Sequence, residues 1–169
     1  MIYETPRLVV RQWADGDTDR LFDIYRRWEV ARWLGATPKA LETREQAVNA
    51  VRRFADWSED PTYGVWAVEV RDTGVVAGSV LLVPLPGDTG EVEVGWHLHP
   101  DSWGHGYATE AAKGALDRAW AAGLTEVFAV VRPGNDASMA VCRRLGMEHL
   151  GTTTKGYDVE AETFRIARE

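Results

Sequence analysis

The stretch from Glu91 to Ala111 reads EVEVGWHLHPDSWGHGYATEA. It begins with strict alternation of apolar and polar residues, which predicts a β-strand, and it ends in an alanine-rich segment that predicts a helix. A Gly-x-Gly turn at Gly104 and Gly106 joins the two. Glycines let the backbone approach a ligand closely, and the free N–H groups of a helix N-terminus suit a phosphate. The stretch therefore predicts a phosphate-binding turn.

Three common nucleotide-binding motifs do not fit this turn. A Walker loop requires Gly-Lys-Ser/Thr after four spacer residues, and the chain has no such run. A dinucleotide fingerprint requires a small residue where Thr109 stands and an acidic residue where Arg132 stands. The companion signatures of a kinase are absent. The turn alone leaves one alternative open, a tight connection into a surface helix without a ligand.

Four blocks of sequence follow one another in a recognisable order. They are Thr5-Pro6-Arg7-Leu8-Val9-Val10-Arg11, Glu93-Val94-Gly95-Trp96, Trp103-Gly104-His105-Gly106-Tyr107-Ala108-Thr109-Glu110-Ala111, and Asn135-Asp136-Ala137-Ser138 followed by Arg144-Leu145-Gly146-Met147. This order resembles the GNAT superfamily of acyl-CoA-dependent N-acyltransferases, specifically the branch of ribosomal-protein N-terminal acetyltransferases (RimJ/RimL-like). The resemblance spans nearly the whole chain. It implies an α/β (α+β) GNAT fold, with a single mixed, mostly antiparallel sheet of six to seven strands flanked by about four helices.

The order of predicted elements agrees with that fold. Strands are predicted at residues 7–13, 63–70, 75–83, 91–99, 127–131, 148–155 and 159–167. A helix is predicted after Asp17, a plausible N-cap, and another after Thr43, which opens a capping box. Two more are predicted after the glycine turn and before Gly146. The chain has no repeats or linkers, so we expect one domain over residues 1–169.

The composition limits the class of protein. No apolar run approaches the roughly 20 residues of a membrane span, and the N-terminus lacks a signal-peptide pattern. The single cysteine, Cys142, forms no internal disulfide, which favours the cytoplasm. The net charge of −7 argues against nucleic acid and favours a cationic acceptor such as an amine. We therefore expect a cytoplasmic protein with no membrane or nucleic-acid partner; a homodimer is possible.

The predicted strand before the turn sends its side chains to two faces. The apolar face carries Val92, Val94, Trp96 and Leu98, and the other face carries Glu91, Glu93, Gly95, His97 and His99. Acyl transfer to an ammonium group needs a base that removes a proton from it. The Glu and His side chains supply candidates for that base. The alternative is the solvent-facing side of an antiparallel strand.

The resemblance assigns roles along three segments. Glu93 matches the Glu of the family's Glu-x-Gly-Tyr pattern and is the expected base, with Glu91 and His97 as runners-up and His99 as the weakest candidate. The expected coenzyme contacts are Trp96, His97, Leu98, Trp103, Gly104, His105, Gly106, Tyr107, Ala108, Thr109, Asn135 and Ser138.

His105 stands where the family usually has a lysine. A histidine is mostly neutral at pH 7, so we expect backbone N–H groups and the helix dipole to bind the phosphate. Together with His97 and His99, His105 also raises the alternative of a metal site. No Cys or Asp completes a recognised zinc spacing, so no metal is expected.

Asn135 and Ser138 lie where a predicted strand ends and a helix begins. The plain interpretation is that Asn135 caps the helix. The resemblance implies that Asn135 contacts the pantetheine arm and that the Ser138 hydroxyl lies near the thioester sulfur, as a proton donor to the departing thiolate. The sequence thus predicts direct transfer from acetyl-CoA to a primary amine, either a protein N-terminus or a small molecule. A bulkier donor such as succinyl-CoA and a non-catalytic CoA-binding domain are the alternatives.

Overall fold

Eight strands form one open sheet in the computed structural model, which describes residues 1–169. The strands are β1 Tyr3–Glu4, β2 Leu8–Arg11, β3 Gly64–Val70, β4 Val76–Pro84, β5 Val92–Leu98, β6 Glu126–Val131, β7 Glu148–Thr153 and β8 Ala161–Ala167. Their order across the sheet is β1-β2-β3-β4-β5-β6-β8-β7. All neighbours pair antiparallel except β5 and β6, which pair parallel.

Helices cover both faces of the sheet. They are α1 Thr18–Tyr25, α2 Trp28–Ala31, α3 Arg44–Trp57, α4 Tyr107–Ala121 and α5 Asp136–Arg144, with short 3-10 turns at Asp15–Asp17 and Pro100–Ser102. The predicted mixed sheet between helices is confirmed, with eight strands instead of six to seven and five α-helices instead of about four. The additional elements escape sequence analysis because β1 has two residues and α2 has four, too few to show a periodicity.

Two hydrophobic cores lie on opposite faces of the sheet. The larger, of 23 buried residues, packs α4 and α5 against the strands, and the smaller, of 10, packs α1 and α3. The predicted alanine face of α4 is buried, and its small side chains let the helix lie close to the sheet. A Cβ at Gly114 would come within 2.2 Å of the Tyr3 ring, which shows how close this approach is. No helix in the chain combines the length and the apolar character that a bilayer crossing requires.

The two predicted helix caps have different outcomes. Thr43 Oγ1 accepts a hydrogen bond from Gln46 N–H at 3.2 Å and Gln46 Oε1 accepts one from Thr43 N–H, so the capping box is confirmed. Asp17 precedes α1 as predicted but makes no side-chain cap bond. Its carboxylate instead pairs with Arg11 on β2 at 2.7 Å and accepts a hydrogen bond from the Ala14 N–H at 2.9 Å, before the helix.

The parallel pair β5 and β6 separates soon after it forms. Its single paired position joins Glu93 to Phe128. The His99 N–H donates to the Ala77 C=O on β4. Successive residues of a strand direct their main-chain N–H and C=O groups to opposite sides, so those of the odd-numbered residues of β5 point to β4 and those of the even-numbered residues point to β6. The main-chain N–H and C=O of Trp96 therefore face a gap in the middle of the sheet.

Candidate active site

A cavity of about 1230 Å³, the first cavity, fills the gap between β5 and β6. It continues past the glycine turn and the N-terminal ends of α4 and α5, and residues of the segment after α1 close one side of it. Every expected coenzyme contact except His105 lies in its wall. The residues that the family resemblance predicts to contact the coenzyme thus lie together around the first cavity.

The glycine turn has the backbone that its sequence predicts. Gly104 and Gly106 have φ angles of 78° and 79°, in the left-handed region that only glycine adopts without strain. The helix α4 begins directly at Tyr107, so the N–H groups of its first turn have no helical partner. A Cβ at Gly104 would meet no atom within 4 Å, so the space over the turn is open.

Arg7 places a guanidinium beside the glycine turn. Its guanidinium pairs with Glu110 at 2.7 Å, donates to the His105 carbonyl at 2.8 Å and lies 4.9 Å from the centre of the Tyr107 ring. The His105 ring itself stacks on Tyr107, outside the cavity wall. Sequence analysis missed the role of Arg7 because 98 residues separate it from His105, although it belongs to one of the four blocks.

Other polar groups of the wall lie near the turn and the helix ends. Lys113 and Arg144 are exposed cations of the wall, and Arg144 lies in the last turn of α5. The Thr109 hydroxyl is buried without a hydrogen-bond partner, which is costly unless a ligand supplies one. The Trp103 indole N–H donates to the Leu98 carbonyl at 3.0 Å and ties the turn to the end of β5.

Asn135 caps α5, as the plain interpretation predicts. Its Oδ1 accepts a hydrogen bond from the Ser138 N–H at 3.3 Å. The Ser138 hydroxyl makes no hydrogen bond within the protein and lies in the wall of the first cavity. The cap therefore uses only the main chain of Ser138 and leaves its hydroxyl free for another role.

Glu93 lies where β5 and β6 begin to separate, and only 8% of its surface is exposed. Burial raises the pKa of its carboxyl to about 7, although a hydrogen bond from the Tyr157 hydroxyl acts in the opposite direction. A carboxyl with a pKa near neutrality exchanges protons readily at physiological pH. Tyr157 is a second group that sequence analysis missed, because it lies 64 residues away in the loop before β8.

The other candidate bases on this strand are engaged differently. Lys155 bonds Glu91 at 2.7 Å and lowers the pKa of that carboxyl, which weakens it as a base. His99 uses both ring nitrogens, one with Asp23 and one with the N–H of Asp101. The solvent-facing alternative for this face is wrong for Glu93 and His99, since both are buried, with Tyr157 of the last loop beside Glu93 and Asp23 of α1 beside His99.

His97 is held by a chain of hydrogen bonds. Its Nδ1 lies 3.0 Å from the Tyr25 hydroxyl, which lies 2.7 Å from the Ser79 hydroxyl. The Trp13 indole N–H donates to Ser79 at 3.2 Å. Burial lowers the pKa of His97 to about 4, so the imidazole is neutral at physiological pH. Its Nε2 makes no hydrogen bond within the protein.

The histidines considered as metal ligands do not converge. His97 contacts Tyr25, His99 contacts Asp23 and His105 stacks on Tyr107. No group of three or more His, Cys, Asp or Glu side chains in the structure is arranged to hold a metal ion.

A second cavity, of about 600 Å³, lies on the face of the sheet that α3 covers. It shares four wall residues with the first cavity: Leu81, Glu93, His97 and Tyr157. Gly95 lies between Glu93 and His97 on the same face of β5, and the Leu81 side chain packs so closely over it that an added Cβ would lie 3.1 Å from Leu81. The Glu93 carboxyl therefore lies at the boundary between the first and the second cavity.

Comparison with known proteins agrees with this arrangement. The acetyltransferase (GNAT) domain family matches residues 7–148. The chain therefore belongs to the GNAT family, and it is an acyltransferase.

Individual proteins are similar to the chain in sequence or in fold. The chain is 30% identical over 151 residues to the uncharacterized N-acetyltransferase YoaA of Bacillus subtilis, covering 89% of this chain and 84% of the relative. Its fold is similar to that of RimL, a ribosomal-protein α-N-acetyltransferase solved with coenzyme A, with a TM-score of 0.81, 14% identity and coverage of 98% and 97%. It is also similar to the ribosomal-protein-S5-alanine acetyltransferase of Vibrio fischeri, with a TM-score of 0.77, 17% identity and coverage of 99% and 96%.

Proposed function

We propose that this protein is an acetyl-CoA-dependent N-acetyltransferase that passes the acetyl group directly to a primary amine in a ternary complex. The observation that carries the proposal is the position of Glu93, a buried carboxyl with a pKa of about 7 at the boundary of two cavities. A donor in the first cavity and an acceptor in the second would meet at this carboxyl. A ternary complex requires a donor site and an acceptor site that meet at one base.

The first cavity fits coenzyme A. The N–H groups of the glycine turn and of the first turn of α4 would bind the pyrophosphate, with Arg7 as the nearby cation. Lys113 and Arg144 are available to the remaining phosphate. The free main-chain groups of Trp96 suit the amides of the pantetheine arm, which would extend the sheet across the gap.

The residues around the gap suit acyl transfer. Acetyl-CoA supplies an activated thioester carbonyl. Glu93 accepts a proton from the acceptor ammonium, and Tyr157 orients the carboxyl through its hydrogen bond. The free hydroxyl of Ser138 donates a proton toward the departing sulfur. A covalent acyl-enzyme on Cys142 is disfavoured, because the thiol is fully buried and burial raises its pKa to about 12.

We further propose that residues 1–169 work as one domain. The strands β7 and β8 lie largely beyond the family match but continue the same sheet, and β8 pairs with β6 beside the gap. The loop between β7 and β8 carries Tyr157 into both cavity walls. The possible homodimer and the cytoplasmic location stay predictions.

The test is a turnover assay with a matched binding measurement. Acetyl-CoA is titrated calorimetrically into the protein, and free-thiol release is then followed with N-terminal peptides, polyamines, aminoglycosides and simple amines. We expect acetyl-CoA binding and amine-dependent thiol release that Glu93→Gln strongly reduces. Faster turnover with succinyl-CoA would favour the bulkier donor. Binding without thiol release from any amine would contradict the proposal and favour a non-catalytic CoA-binding domain.

A further inference from the structure

The second cavity has a predominantly aromatic and aliphatic wall. Four aromatic side chains contribute to it: Phe54, Trp57, Tyr63 and Tyr157. Val65, Leu81, Val83, Pro84 and Pro86 supply most of the remaining surface. Such a wall stabilises a ligand by removing its apolar surface from water and offers few hydrogen bonds to a polar one.

The charged groups of this wall are both acidic. They are Asp60 and Glu93, and the wall contains no Lys or Arg. Hydrogen bonds from the Tyr63 and Thr62 N–H groups lower the pKa of Asp60, so this carboxylate is charged at neutral pH. Both bonds go to Oδ1, which leaves Oδ2 free. A cavity with carboxyl groups and no cation favours a positively charged ligand.

Two arginines lie beside this cavity but outside its wall. Arg118 donates to the main-chain carbonyls of Pro61 and Thr62, stacks on Trp66 and helps to lower the pKa of Asp60, so it partly offsets that charge. Arg53 is exposed on α3 and stacks on the rings of Phe54 and Trp57. No cation contributes to the pKa of Glu93, so this carboxyl keeps its effect on a ligand in the cavity.

We propose that the second cavity is the acceptor site and that the acceptor is a small arylalkylamine, with a primary ammonium on a short chain from an aromatic ring. This inference rests on the proposed N-acetyl transfer. The ring packs among the aromatic side chains of the wall, and the ammonium reaches Glu93 at the boundary with the first cavity. The acceptor nitrogen then lies beside the proton-accepting carboxyl and faces the gap.

Other amine classes fit this wall less well. A polyamine or an aminoglycoside would place several charges or hydroxyl groups among apolar rings, which is costly without compensating hydrogen bonds. A peptide N-terminus would bury main-chain amides against the same apolar surface. The volume of about 600 Å³ suits a small molecule.

The first experiment compares acceptors on the intact protein with acetyl-CoA. The probes are 2-phenylethylamine, ethylamine, spermidine and a short peptide with a free N-terminus, and kcat/KM is measured by thiol release. We expect 2-phenylethylamine to exceed ethylamine by about 10- to 100-fold, because the ring adds the burial of one aromatic group. Calorimetric titration of 2-phenylethylamine into the protein saturated with coenzyme A measures binding independently of turnover.

The second experiment assigns the selectivity to the cavity. Trp57→Ala removes a wall ring and should lower the ratio of kcat/KM for 2-phenylethylamine to that for ethylamine about tenfold, mainly through KM. Trp28→Ala is the matched control, since Trp28 is 57% exposed and lies in neither wall; it should leave the ratio unchanged. Asp60→Asn keeps the Oδ1 acceptor of its turn, removes the charge and should weaken binding of 2-phenylethylamine.

The outcomes separate this inference from the proposed function. Equal kcat/KM for 2-phenylethylamine and ethylamine, or a preference for spermidine or the peptide, overturns the acceptor class while N-acetyl transfer stands. A preserved ratio in a folded Trp57→Ala variant overturns the assignment to this cavity. Acetyl-CoA binding with no thiol release from any amine overturns both.

Discussion

The two cavities meet at Glu93 but are built in different ways. The proposed phosphate end of the first cavity is a continuous segment from Trp103 to Thr109, in which a turn and a helix start follow each other along the chain and every residue except His105 lies in the wall. The second cavity is assembled from α3, three strands and the loop before β8. A continuous element can be recognised in a sequence because its backbone conformation is local. An assembled cavity depends on which distant segments pack together.

The strongest test of the continuous element is Gly106→Val. The position has a φ of 79°, and an added Cβ would lie 3.4 Å from the Arg7 guanidinium, so a β-branched residue distorts the turn. Losing two hydrogen bonds to a charged phosphate, each worth about 1.5–3 kcal/mol, should weaken acetyl-CoA binding at least about 100-fold. Calorimetric titration measures this loss, and circular dichroism checks the fold.

The control for that variant is Gly74→Val. Gly74 has a similar φ of 72° in the hairpin between β3 and β4 and lies in neither cavity wall, so it carries the same backbone strain away from the ligand. We expect its affinity for acetyl-CoA to be unchanged. Unchanged affinity in a folded Gly106→Val variant would remove the assignment of the phosphate-binding turn.

The next largest effect is expected at the boundary between the cavities. Glu93→Gln keeps the shape of the side chain and removes the base, so kcat should fall about 100-fold or more with little change in the KM for the donor. Glu91→Gln is the matched control on the same strand face and should change kcat only a few-fold. Full activity of Glu93→Gln from pH 6 to pH 9 would move the base to Glu91, His97 or a water molecule.

Ser138→Ala tests the proton donor at the start of α5. The Ser138 hydroxyl makes no hydrogen bond within the protein, and the cap by Asn135 uses only the main-chain N–H, so the melting temperature should not change. A general-acid role should lower kcat about tenfold or more while donor binding is kept. If kcat is untouched, catalysis proceeds without this side-chain acid, whatever the stability of the variant.

Tyr157→Phe tests the hydrogen bond between the loop before β8 and the Glu93 carboxyl. The Tyr157 hydroxyl donates to Glu93 and so favours the charged carboxylate. Its removal should raise the pKa of Glu93 further above 7 and shift the acidic limb of the kcat/KM profile upward by about one pH unit. If the variant still binds acetyl-CoA and the acidic limb of its kcat/KM profile does not move, a group other than Glu93 controls that limb.

Glu91, just before β5, and Glu93 within it show what the pattern alone leaves open. Glu91 and Glu93 lie on one face, two residues apart, as the alternation predicts. Their pKa values nevertheless move in opposite directions, because Lys155 bonds Glu91 whereas burial dominates at Glu93. The partners of these two carboxyl groups, Lys155 and Tyr157, both lie in the loop between β7 and β8, which no local pattern connects to β5.

The sequence by itself determined the elements whose geometry is local. The two faces of β5, the left-handed glycine turn, the alanine face of α4 and the capping box at Thr43 all follow from backbone periodicity and short-range hydrogen bonds. Their predicted bounds agree with the structure to within about two residues. Two of the four blocks that carry the resemblance to the GNAT family, in β5 and around the glycine turn, lie in these elements.

Only the tertiary structure decided the environment of each side chain. Arg7 reaches the glycine turn across 98 residues, Tyr157 reaches Glu93 across 64, and the second cavity draws on α3, three strands and the loop before β8. Burial and charge pairing depend on which segments meet after the sheet has formed, and a pattern with a period of two or 3.6 residues carries no information about that. The local sequence therefore indicates the class of chemistry, and the packed sheet decides the surroundings of each carboxyl, from which the base and the acceptor are proposed.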